Sequence, residues 1–130
     1  MGATAALALA PLATGALAFC PQVDLTTASI RPARGAEWLA ELRSAVDGGV
    51  LAAAAAGCAL TVHVGTWQHD MDQVNSLPKD AAKVAVYGVD SHRLALALDR
   101  AGRLAPVVRE AILTQMGLRG TGKVRLANLV

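Results

Sequence analysis

Large aromatic side chains are scarce in this chain: Phe19, Trp38, Trp67 and Tyr87 are the whole set among 130 residues. Rings remove the most surface from water per side chain, so a core built on aromatic packing is not available. The same scarcity argues against a surface that stacks nucleobases between cations. The twelve Lys and Arg are spread from Arg31 to Arg125 without a run of four, and the net charge is only +2. A nucleic-acid footprint is a concentrated basic stripe; Arg100, Arg103 and Arg109 come nearest to an anion-facing patch, and the remainder reads as a solvated mixed-charge surface.

Cysteine is also rare. Only Cys20 and Cys58 occur, with no Cys-x-x-Cys pair, so a structural zinc centre held by thiolates is not indicated. Cys58 lies in the apolar run Cys58-Ala59-Leu60-Thr61-Val62 and reads as a small buried hydrophobe. A disulfide between the two would require an oxidising compartment.

Charge is missing altogether from Met1 to Phe19. The segment has the apolar length of a signal-peptide core but no basic residue ahead of it. Leu17-Ala18-Phe19-Cys20 likewise resembles a lipoprotein cleavage box with the wrong residue, Phe, before Cys. Pro11, Gly15 and the weakly lipophilic alanines count against a membrane span. Residues 1–20 are therefore read as an apolar leader that packs on the core or contacts another subunit, with Leu7, Leu9, Leu12, Leu17 and Phe19 as interface candidates. Trp67 is a further interface anchor.

What is present is alanine. More than half of the residues are apolar, yet a methyl group buries far less area than a branched chain or a ring. One domain spanning residues 1–130 is expected from the length, with a thin core that gains area from identical neighbours.

Periodicity gives a coarse order of elements. Residues 21–34 alternate polar and apolar positions and read as a strand or extended arm. Residues 36–46 place Trp38, Leu39, Leu42 and Val46 at helical spacing; Gly48-Gly49 reads as a stop, and a second short helix follows over 50–56. Residues 59–66 and 83–88 read as strands, with the longest loop, 67–82, between them. A helix capped by Asp90 or Ser91 runs to Ala101. Another begins near Pro106 with Val108, Ile112 and Met116 on one face, and 124–130 reads as a last strand. The fold class is α+β or α/β: a two-layer arrangement of about three to four strands with helices packed on the sheet.

Gly117-Leu-Arg-Gly-Thr-Gly-Lys123 has the letters of a phosphate-binding loop, but it follows a helix and Val124 stands where a hydroxyl is needed to reach magnesium. Ser76, Ser91 and Cys58 lack a nucleophile motif, so no catalytic residue is assigned. The only concentration of imidazole and carboxylate is His63, His69, Asp70, Asp72, Asp90 and His92. If the strands at 59–66 and 83–88 are parallel neighbours, their carboxyl ends bring His69, Asp72, Asp90 and His92 toward one edge, where open α/β sheets place ligands.

Two functions follow. The first is a non-enzymatic assembly protein without a cofactor that forms homo-oligomers or docks into a larger complex such as a phage-like particle, in a cytoplasmic or particle-associated setting. An exported form is left open. The second is a small metal-dependent hydrolase or ligand-binding domain holding a divalent transition metal through His63, His69, Asp72, Asp90 and His92.

Overall fold

The β-branched run Ala59–Val64 becomes the middle strand of a three-stranded parallel sheet. The computed structural model describes residues 2–28 and 33–116. Its elements are α1 (Gly2–Ala8), a 3-10 turn (Ala10–Leu12), β1 (Gly15–Phe19), α2 (Ala36–Ala55), β2 (Ala59–Val64), α3 (Gln68–Asn75), β3 (Lys83–Val86), α4 (Leu94–Arg100) and α5 (Leu104–Gln115). The register runs from Gly15 opposite Ala59 to Phe19 opposite His63, and from Thr61 opposite Lys83 to Val64 opposite Val86. Parallel neighbours need a crossover, and α2 and α3 supply the two that this order requires. The result is a single mixed α/β domain with three strands, as the patterning predicts.

Side chains alternate across the sheet. Ala18, Leu60, Val62 and Val64 join Leu7 of α1 and Val46, Val50 and Ala53 of α2 in the larger core. The smaller core gathers Cys20, Leu94 and Leu98, with Phe19, Tyr87, Val89 and Leu104 packed against it. Alanine makes the first core close rather than voluminous. On α2, a Cβ at Gly49 would lie 2.5 Å from the carbonyl oxygen of Ala8, so the backbones of α1 and α2 nearly touch there.

Several expectations change. The uncharged leader is not one element: its second half is β1, an edge strand. Leu7, expected as a subunit contact, is buried in the chain's own core. Leu17 and Phe19 are half-buried, whereas Leu9 and Leu12 stay exposed. Residues 36–55 form one helix through Gly48-Gly49, because Gly49 serves the contact with α1 and does not stop the helix. The loop at 67–82 contains α3.

The arm read over 21–34 has no strand at 21–28 or 33–34. The side chain of Gln73 fixes this segment instead. Its Oε1 accepts from the amides of Val23 and Asp24 at 2.7 and 2.8 Å, and its Nε2 donates to the Thr27 hydroxyl at 2.9 Å. On α5, Ile112 and Met116 are exposed. The helix instead lies against β1, where a Cβ at Gly15 would meet the side chain of Gln115. The strand expected at 124–130 and the glycine-rich stretch 117–123 lie outside the described residues. No described helix is long and apolar enough to cross a membrane.

Candidate functional site

Three parallel strands end at the same edge, and the chemistry collects there. Cys20 follows β1 directly and continues its ladder, donating its amide to the carbonyl of His63 at 2.8 Å. It turns the chain with a φ of 45°, a left-handed conformation that side chains other than Gly, Asn and Asp rarely adopt. Such strain persists only where the surroundings over-determine it, and it clusters at functional sites. Past β2, Gly65 sits against the Val89 carbonyl so closely that no Cβ fits. The next amide, Thr66, donates to the same carbonyl at 2.9 Å. That contact draws together the segments leaving β2 and β3.

Asp70 comes from the first turn of α3 and is completely buried. One carboxylate oxygen, Oδ1, lies 2.8 Å from Nδ1 of His92 and accepts from Nε2 of Gln22 at 3.3 Å. The other, Oδ2, is buried with no hydrogen-bond partner. A buried carboxylate oxygen left without a donor costs on the order of 1–3 kcal/mol. Cys20, Asp70 and His92 each offer a ligand atom, and the three atoms lie within 4.8 Å of one another. The thiol and carboxylate are buried, and the imidazole is half-exposed.

Burial and the adjoining Asp70 carboxylate push the Cys20 thiol up to about 11, against the opposing pull of the Gly65 and Leu94 amides at the sulfur. The thiol is therefore protonated near neutral pH and is a poor nucleophile as it stands. Cys58 is also a free thiol and is half-buried. This arrangement is a donor set rather than an activated nucleophile.

Of the residues expected to bind metal, only His92 belongs to this cluster. Among the described residues, no three of His63, His69, Asp72, Asp90 and His92 bring ligand atoms within that distance. His63 points to the other side of β2, stacked on Phe19 with centroids 4.6 Å apart, and its Nδ1 is 2.8 Å from the Tyr87 hydroxyl. Burial first, and Lys83 second, push its pKa down to about 4, so it is a neutral core residue. Asp72 is exposed and accepts from Gln68 at 2.7 Å within α3. Asp90 is exposed on the connection to α4.

Trp67, expected as an interface anchor, is half-buried beside the cluster. Its ring is 6.0 Å from that of His92, edge-on, and 5.2 Å from that of His69. Asp70 was visible in the sequence as part of the imidazole and carboxylate concentration but carried no ligand spacing. Cys20 carried no signal for this role beyond its position next to an apolar strand. In comparisons with protein-family models, curated proteins and solved structures, nothing matches this chain.

Proposed function

We propose that this chain is a small ligand-binding domain that works at the carboxyl ends of its three parallel strands, with Asp70 as the anchor and Cys20 and His92 beside it. The observation that carries the reading is the fully buried Asp70 carboxylate, whose Oδ2 has no hydrogen-bond partner. A buried carboxylate oxygen without a donor is costly, and this one lies beside the half-exposed His92 at the carboxyl ends of the strands, which fits a partner that arrives from solution. A cation or a strong hydrogen-bond donor suits it.

The test is an amide-resolved NMR titration with a panel of divalent metal ions and amine, amidine and guanidine fragments. Hits are expected to shift the amides of Cys20, Gly65, Asp70, His92 and Leu94 and to weaken strongly in Asp70→Asn. Hits that map elsewhere, or a panel without hits, reject the reading.

A second reading, self-association or docking into an assembly, is favoured by a separate observation. Leu12 is 83% exposed and Leu9 59% exposed, while Val84 and Val86 are exposed on the edge strand β3. Unpaired edge strands with apolar side chains are templates for pairing with another chain. Light scattering at rising concentration tests the self-association, and a strict monomer rejects it.

A further inference from the structure

We infer that Cys20, Asp70 and His92 form a three-ligand site for one thiophilic divalent transition-metal ion of the zinc class, with a fourth position left open to solvent. The inference rests on the ligand-binding reading above and names the ligand. The first support is composition. A thiol sulfur, a carboxylate oxygen and an imidazole nitrogen are each established zinc donors, and sets of three protein ligands are those of catalytic rather than structural zinc. Hard ions such as magnesium and calcium prefer oxygen throughout, and a sulfur donor turns the preference toward softer ions.

The second support is spacing. The three ligand atoms lie within 4.8 Å of one another. Donors bound at about 2.0–2.3 Å around one tetrahedral centre lie roughly 3–4 Å apart, so small side-chain adjustments close the set. His92 is held to Asp70 at 2.8 Å and is 37% exposed at the side chain. It can therefore swing its ring nitrogen onto an ion without disturbing the core.

The third support is charge. Binding a divalent ion displaces the Cys20 thiol proton to solvent, and the resulting thiolate together with the Asp70 carboxylate offsets the two charges of the ion. The bare Asp70 Oδ2 and the left-handed backbone at Cys20 then share one explanation. Gly65 and Trp67 shape the approach: the glycine lets the β2 end close on Val89, and the indole walls the half-exposed side beside His92. With three protein ligands the fourth position would be open to water or to a donor atom of a substrate.

Cobalt(II) is the probe. Titrated into the reduced full chain, it is expected to produce, at one equivalent, a near-ultraviolet sulfur-to-cobalt charge-transfer band together with intense visible d–d bands of a four-coordinate site. Cys20→Ser abolishes the charge-transfer band, His92→Ala weakens binding by about tenfold or more, and Cys58→Ala changes neither. Because His92 is half-exposed, its variant is expected to fold, which circular dichroism verifies. The inference is overturned if cobalt gives no sulfur band, if the band survives Cys20→Ser, or if it is lost in Cys58→Ala. Organic donors that shift the amides around Asp70 while cobalt gives no band would sink the metal and leave the ligand-binding reading standing. Silence from both would sink the two together.

Discussion

The half-exposed imidazole of His92 holds Oδ1 of the fully buried Asp70 at 2.8 Å. Two elements far apart in the chain, the start of α3 and the connection into α4, are tied by that bond. Its removal leaves the carboxylate to Gln22, at 3.3 Å, and to the Cys20 thiol. His92→Ala is therefore expected to destabilise the metal-free chain by about 1–3 kcal/mol, the cost of a buried polar group stripped of a partner. Urea denaturation at neutral pH measures it, and an unchanged midpoint would show that the bond contributes nothing.

Gln73 is expected to matter more than its place in a short helix suggests. It holds the amides of Val23 and Asp24 and the hydroxyl of Thr27, and so fixes the segment that leaves Cys20. Gln73→Leu keeps the volume but orphans two amides, at roughly 1–3 kcal/mol for a buried one. Hydrogen exchange is expected to accelerate at Val23 and Asp24 before it changes in β2. Exchange rates that stay at the wild-type level would mean that the segment holds itself.

This clamp also explains what the sequence could not reveal. The alternation over 21–28 is the same in a strand and in a loop whose amides are satisfied by a glutamine some fifty positions away, and local pattern does not report the difference. Gly48-Gly49 misleads for a related reason, since a glycine that admits a neighbouring helix looks like one that ends its own. The runs at 59–64 and 83–86 were legible because β-branched apolar residues between turn signals have few other uses. The edge where they end could be named conditionally, and His92 falls there. Cys20 could not be foreseen: positions 20, 70 and 92 meet only through the parallel register, and no short motif spans them.

The two thiols are expected to separate cleanly in reactivity. Cys20 is buried, and its thiol is pushed up to about 11 by burial and by Asp70, while Cys58 is half-buried. Since the thiolate is the reacting form, iodoacetamide near neutral pH in the absence of metal is expected to label Cys58 first. Cys20 is expected to react at the rate of local opening. Peptide mass mapping over time reads this, and equal labelling of both would contradict the burial of Cys20.

His63 makes stability depend on acid. Burial and then Lys83 lower its pKa from 6.5 to about 4, so the fold keeps the ring neutral while the unfolded chain takes a proton below 6.5. The unfolded state binds more protons across that interval, so stability falls as pH drops through it and the loss is complete near pH 4. A shift of this size corresponds to about 3 kcal/mol. His63→Gln keeps a polar partner for the Tyr87 hydroxyl and cannot titrate, so its stability is expected to be flatter between those two pH values. A variant with the wild-type slope would place the acid sensitivity in other groups.

Gly48 and Gly49 give a paired test of whether helix propensity or packing decides the middle of α2. Both lie in the helix interior, where alanine is ordinarily better than glycine by roughly 0.5–1 kcal/mol. At Gly48 a Cβ meets nothing within 4 Å, whereas at Gly49 it would come 2.5 Å from the Ala8 carbonyl oxygen and 2.7 Å from that of Leu7. Backbone cannot rotate out of the way as a flexible side chain can, so α1 would have to be pushed off α2, at about 1–3 kcal/mol. Gly48→Ala is thus expected to raise the melting temperature and Gly49→Ala to lower it. The same sign for both would mean that α1 is not seated on α2 as tightly as Leu7 and Val50, each fully buried, require.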